Sequence, residues 1–383
     1  PEFAGPVKGE KPEASAGDEV YQKQIQQILL GDAPAEAKEE LKELRRECSD
    51  EHIEKEFNAT VLEFLLPESS EEDYGYLVSL LKEQAEQFLW TGQYGEVIRI
   101  VRVLESNIAK NRFTEKTAES LRYYRSGEFI SKLVDSFRTV GRQMREEALQ
   151  LCEYYDEGIL PELFRALVEE ESASVRRFLL GLITHFGDRA VPEAVKRLAD
   201  NRWFVTRNMI FIISECGDEK AVSHIRPYCS HENPRVSFEA IKCLLRAGDG
   251  HALPAIRDHL KSEDWEKREQ TIALSGSFRV REIVPDLVTL LKKREVSSAD
   301  FYAKIPLVRA LGQIGDPDAL EALRDILVAR SFLFRGAVEK LKEEIYSSLR
   351  NYPHEKLTEL VELGMKSKND SIRKAALRLR AGR

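Results

Sequence analysis

The chain has 383 residues, 42% of them hydrophobic and 32% charged, with 66 Asp/Glu against 58 Lys/Arg and a net charge of −8. That balance is ordinary for a helical protein with a sizeable core and many exposed ridges. No run approaches the ~18 consecutive apolar residues of a membrane-crossing helix. The five cysteines, Cys48, Cys152, Cys216, Cys229 and Cys243, form no CxxC pair. An odd count at helix-core positions implies a reducing compartment, hence a cytoplasmic protein with buried structural thiols.

Residues 1–19 are rich in Gly, Pro, Glu and Lys and read as a disordered tail. The start Pro1-Glu2-Phe3, without a Met, reads as a cloning remnant, so an upstream signal or anchor stays open. Residues 20–137 read as an irregular helical domain. Ala35–Cys48 is a charged helix with Glu39/Glu43 and Lys42/Arg46 stacked along it. Ser49 or Asp50 caps a helix running toward Leu66, and Pro67 marks its end. Asp73–Trp90 and Glu96–Ser106 pair around Thr91-Gly92-Gln93-Tyr94-Gly95, a hairpin similar to a tetratricopeptide-type unit.

Residues 138–383 repeat a pattern. The stretch from Phe301 to Leu327 is an apolar helix (Phe301, Ile305, Val308, Leu311), a Gly315-Asp316 stop, and a second apolar helix striped by Leu320, Leu323 and Leu327. Gly187-Asp188, Gly217-Asp218 and Gly248-Asp249 recur 30 and 31 residues apart. Phe278-Arg279 holds the next turn, and Gly315 follows Arg279 by 36 because 295–299 is inserted. Pro161, Pro192, Pro254 and Pro285 open second helices, where a missing N–H costs nothing. Trp203, Trp265 and Phe301 open first helices, and Pro306 should kink the helix that contains it.

A period near 30 made of two short helices is the signature of an α-solenoid. The pattern resembles the HEAT repeat, particularly the short bacterial type also seen in bilin lyases. Units start near Val140, Ser172, Trp203, Asn233, Trp265, Ala299 and Phe334, with a half unit after Asp370. The expected fold is all-α: about seven HEAT-like hairpins over 138–383, with 20–137 capping the open N-terminal end.

Catalytic patterns are poor. There is no His-Glu-x-x-His, no Gly-x-Ser-x-Gly and no phosphate-cradling glycine loop. His231-Glu232 and His354-Glu355 resemble the His-Glu dipeptides of di-iron hydroxylases built from HEAT-like repeats, but that family needs four of them. His224, His251 and His259 read as lining a surface. No catalytic residue, cofactor or metal ligand is assigned. An enzyme reading, as a bilin lyase or metal hydroxylase, stays an alternative.

Residues 1–139 hold 28 acids against 18 bases, and the remainder 38 against 40. So small a positive excess is a poor grip for DNA, although Trp203 and Trp265 keep a nucleic-acid reading as a further alternative. In HEAT arrays second helices line the concave face, which makes Lys196, Arg197, Arg226, Arg257, His259, Lys292, Lys293 and Arg324 the expected partner-binding ladder. Arg176, Arg177 and Arg207, on first helices, should pair with turn aspartates. The expected function is a non-catalytic protein–protein interaction scaffold that takes an acidic segment or helix along the concave face. The basic C-terminal half unit reads as a polar cap, which favours a monomer.

Overall fold

The computed structural model describes residues 39, 42–44, 46–65, 70–329 and 333–381. The expected tail 1–19, the start of the helical stretch at 20–38 and the Pro67 stop lie outside the described residues. The chain forms two compact units, Pro1–Tyr154 and Tyr155–Arg383.

In the first unit α1 is Asp50–Phe64, α2 Glu71–Thr91, α3 Tyr94–Ala109, α4 Thr114–Tyr124 and α5 Gly127–Thr139. The sixth, α6, is Arg145–Tyr155. Ser49 caps α1 by accepting the N–H of His52, and Ser70 caps α2 by accepting that of Asp73. Gly92 ends α2 at φ 77°, where a Cβ would be strained, so the tight α2–α3 hairpin needs it. The core is aromatic: Tyr74, Phe88, Tyr94, Tyr124, Phe129 and Phe137 are all buried, and the rings of Tyr94 and Phe137 meet edge-on at 5.3 Å. Buried phenols need partners; Tyr74 Oη bonds Thr117 Oγ1 at 2.7 Å and accepts from Asn107 Nδ2 at 3.2 Å.

The second unit is an all-α stack of hairpins. First helices are α8 (Ala173–His185), α10 (Trp203–Cys216), α12 (Pro234–Arg246) and α14 (Trp265–Ser277). Their second helices are α9 (Val191–Lys196), α11 (Glu219–Ser223), α13 (Ala252–Lys261) and α15 (Val284–Leu291). The next first helix is split into α16 (Ser298–Ala303) and α17 (Ile305–Ile314), with Pro306 at the start of the second piece. The kink expected at Pro306 is thus a break at Lys304. The stack ends with α18 (Leu320–Val328), α19 (Arg335–Ser348), α20 (Thr358–Met365) and α21 (Asp370–Arg380). Ahead of it, α7 (Leu160–Glu169) carries Pro161 in its first turn, as second helices do.

Every marked turn but one is built on a left-handed residue: Asp156 (φ 49°), Gly187 (59°), Gly248 (68°), Arg279 (53°) and Gly315 (69°). The exception is Gly217, which is extended at φ −85°. What Gly217 needs is room, because a Cβ there would sit 2.6 Å from the carbonyl oxygen of Ile213. Arg279 occupies a glycine position, with its side chain exposed.

A second periodic device was not anticipated. In five of these helices, α8, α10, α12, α14 and α21, the fourth residue after the N-cap donates its side chain back to the segment before the helix; α16 and α19 carry Phe301 and Val338 there instead. Arg176 reaches the carbonyls of Glu170 (2.9 Å) and Glu171 (2.6 Å), and Thr206 that of Asp200 (2.9 Å). Ser237 reaches Cys229 (2.5 Å), Arg268 Ser262 (2.8 Å) and Arg373 Ser367 (2.8 Å). These latches satisfy carbonyls left over where the preceding element ends. Arg176 therefore does not pair with a turn aspartate, as the sequence suggested. Close approach of first helices is set by glycine: a Cβ on Gly312 would lie 2.8 Å from the Ser348 carbonyl oxygen.

Two stability outcomes follow. Arg279→Gly should stabilise by about 1 kcal/mol, since a left-handed non-glycine residue costs about that and its exposed side chain gives up little. Gly312→Ala should destabilise by about 2 kcal/mol, because overpacking α17 against α19 forces the helices apart. Urea midpoints of the two variants beside the parent check both.

Candidate functional site

The expected ladder does not present a row of free cations. Lys196 Nζ lies 3.2 Å from Glu193, and Arg197 bonds the same carboxylate while its guanidinium covers Phe164 at 5.3 Å. Arg226 bonds Asp249 at 2.8 Å, Arg257 bonds Asp286 at 3.2 Å, and Arg324 bonds Glu359 at 2.6 Å. Each of these three acids belongs to a later hairpin, so the arginines tie repeat to repeat. Burial pulls the Asp249 carboxyl upward, but the His251 N–H and the Arg226 guanidinium outweigh it and hold the pKa at about 2. Arg226 also lies off any α-helix: α11 stops at Ser223 and a 3-10 turn, Arg226–Ser230, follows. Pro227 cannot donate the N–H that a continuing helix would need. Only Lys292 and Lys293 of the eight are exposed without a side-chain partner among the described residues.

His259 is the clearest departure. It is 5% exposed, not on a surface; its Nε2 bonds Ser237 Oγ at 3.1 Å and its ring meets Phe238 edge-on at 5.2 Å. Burial, with Lys267 adding repulsion, lowers its pKa to about 4. The other histidines singled out are dispersed. His231 Nδ1 accepts the N–H of Asn233, and His354 Nε2 lies 2.7 Å from the Leu379 carbonyl. Among the described residues no group of three His, Cys, Asp or Glu is placed to hold a metal ion. Of the cysteines, Cys152, Cys229 and Cys243 are buried, whereas Cys216 is half-buried and Cys48 exposed, against the expectation of buried thiols throughout.

A different surface gathers chemistry. The open ends of α8, α10, α12 and α14 bound a groove of about 670 Å³. Positions one turn apart supply its floor: Phe204 and Asn208 on α10, Arg235 and Glu239 on α12, Glu266 and Gln270 on α14. Trp203 and Phe238 add apolar wall, and Arg235 stacks its guanidinium over the Trp203 ring at 5.0 Å. Trp203, half-buried, thus lines this surface, and Trp265 is 39% exposed beneath Arg268.

The charges of the groove are unevenly matched. Glu239, buried, sits between Arg207 at 3.5 Å and Lys242 at 4.0 Å. Asp264 is engaged as the α14 N-cap, accepting the N–H groups of Glu266 and Lys267. Arg235 and Lys267 have no carboxylate partner among the described residues. Asn208 is 4% exposed, yet no hydrogen bond reaches its amide among the described residues. Its amide is not among the fully buried, unpartnered polar atoms, so what little of the residue is exposed opens onto the groove. Sequence reasoning passed these residues over because it searched second helices only. The signal was there: 204/235/266 and 208/239/270 recur at 31 residues outside the apolar stripe.

Comparison with known proteins bears on the repeat. The HEAT-repeat family matches residues 191–275 and 253–342. Residues 191–342 are HEAT repeats. The groove lies partly on them and extends to Arg176. No curated protein sequence matches the chain. Solved structures resemble it at low identity: YibA of E. coli at 17%, over 61% of this chain and 86% of that one, TM-score 0.33. Human deoxyhypusine hydroxylase, with glycerol bound, is 16% identical over 57% and 98%, TM-score 0.23. A Kap121p mutant is 12% identical over 85% and 41%, TM-score 0.39. These likenesses say nothing of what the HEAT repeats here act on.

His259 makes the repeats acid-sensitive. Its folded pKa lies below the ordinary value of 6.5, so its contribution is complete above pH 6.5 and is lost as pH falls toward 4. The loss by pH 4 is roughly 3 kcal/mol. His259→Leu should flatten that part of the stability–pH profile, measured by urea unfolding between pH 8 and 4.

Proposed function

We propose that this chain is a non-catalytic scaffold whose solenoid takes a segment of another protein. The observation that carries it is the first-helix groove: mixed aromatic, amide and charged side chains from four successive first helices converge there with two cations unmatched. A line of such positions repeating with the hairpin suits a chain-like partner better than a small molecule. Such a partner can meet each repeat in turn. No helix of the described residues is long and apolar enough to cross a membrane, so the partner surface is met from water in this reading. The second-helix arginines, saturated by neighbouring acids, act in this reading as repeat-to-repeat ties, leaving Lys292 and Lys293 as what remains of the ladder.

The test is affinity purification from the native source with three baits: the parent chain, Arg235→Glu/Lys267→Glu, and Lys292→Glu/Lys293→Glu. All four changed side chains lack ion-pair partners among the described residues, so the variants should fold as the parent does, checked by circular dichroism. A partner protein held stoichiometrically by the parent and lost with one of the two variants is expected. If the parent holds no protein above the empty resin, the scaffold reading is wrong. A partner that survives both changes leaves the scaffold standing and removes both surfaces.

A further inference from the structure

We propose that the groove across α8, α10, α12 and α14 receives an extended, acidic segment of its partner. An apolar side chain of that segment seats against Trp203, Phe204 and Phe238, and the Asn208 amide bonds its main chain. This rests on the scaffold reading and specifies the partner.

Three features of the groove point the same way. The Asn208 carboxamide offers two donors and an acceptor and, among the described residues, meets none. A main-chain peptide group offers one N–H and one C=O, which is the complement of that side chain. The charges then choose the sign of the occupant. Five bases (Arg176, Arg207, Arg235, Lys242, Lys267) line the groove against three acids, Glu239, Asp264 and Glu266. Glu239 is shared between Arg207 and Lys242, and Asp264 is engaged by helix N–H groups. Glu266 meets only the Gln270 amide and stays unmatched beside Arg235 and Lys267, but five bases against three acids leave the lining net positive, which favours Asp or Glu on the occupant.

The same wall disfavours nucleic acid. A phosphate backbone would bring one negative charge per nucleotide past three fixed carboxylates, whereas a peptide can place its acids selectively beside Arg235 and Lys267. Length follows from the stacking: four helices about 10 Å apart span about 30 Å. An extended chain covers that with about nine residues at roughly 3.3 Å each.

The experiment is selection of a phage-displayed random dodecapeptide library on the purified full chain. The affinity of the consensus peptide, labelled with fluorescein, is then measured by anisotropy. Expected is a pool with net negative charge and an aromatic or aliphatic residue between the acids. Arg235→Glu/Lys267→Glu should weaken the consensus peptide at least ~30-fold. Asn208→Leu, which removes the amide at similar volume, should weaken it roughly tenfold with an unchanged Tm. Lys292→Glu/Lys293→Glu should change nothing.

A neutral or basic pool overturns the proposal, as does no enrichment, or a consensus peptide that both groove variants bind as tightly as the parent does. A twelve-nucleotide single-stranded DNA that binds more tightly than the best peptide overturns it in favour of nucleic acid. If the bait experiment yields a partner while any of these occurs, the scaffold reading stands and only this assignment of the groove falls.

Discussion

A recurring latch orders much of the second unit: in α8, α10, α12, α14 and α21 the side chain four residues past the helix cap bonds a carbonyl in the segment behind it, whereas Phe301 and Val338 hold that position in α16 and α19. Arg176, Thr206, Ser237, Arg268 and Arg373 do this with different chemistry at one register position. Each bond is modest, about 1 kcal/mol, but it fixes how a first helix is rotated relative to the element before it. Rotation is what decides which residues look outward. With the latch position held inward at 206, 237 and 268, the positions two before and two after, 204/208, 235/239 and 266/270, line up from repeat to repeat. The groove is a by-product of the way the repeats are clamped.

The same logic separates the two sets of arginines. Arg226, Arg257 and Arg324 reach acids in later hairpins, while between first helices Arg246 reaches back to Glu215 (2.5 Å) and Arg309 forward to Glu344 (2.7 Å). Exposed pairs of this kind add at most about 1 kcal/mol each, so their main effect is on register rather than stability. A guanidinium already seated on a carboxylate gives little to an incoming acid, which would have to displace the resident one. A cation stacked on tryptophan, as Arg235 is, keeps its N–H donors free to bond.

How much of this could be read from the sequence depends on what kind of signal each feature leaves. Turn glycines and helix-opening prolines act through φ and the missing N–H, which belong to one residue, so the hairpins and their period were legible. The break at Pro306 was legible for the same reason. That Gly217 is extended while Arg279 is left-handed was not: at Gly217 the room left by Ile213 and Ala221 decides, which no single-residue preference announces. Surface charge was the least legible. Arg226 and Arg235 look alike in sequence, and only the packing shows that one has an acid within 2.8 Å and the other a tryptophan ring. His259 misled for a similar reason: its place on the second helix fits a surface stripe, yet Phe238 and Ser237 of the preceding first helix close over it.

Asn208 brings these strands together. Its counterparts one repeat on and two repeats on are Glu239 and Gln270, and each of those has partners: Arg207 and Lys242 for the first, Glu266 for the second. In that row only the asparagine has no hydrogen-bond or ion-pair partner among the described residues, its amide opening onto the groove. The neighbouring first-helix position on α8, Arg177, sits where a longer side chain reaches solvent, so nothing forces an amide into that spot for packing. A leucine there would fill the same volume but give up the amide that opens onto the groove. An amide that opens onto the groove with no partner from the fold, while the equivalent position in the next two repeats is engaged, is free to bond the main chain of a bound segment.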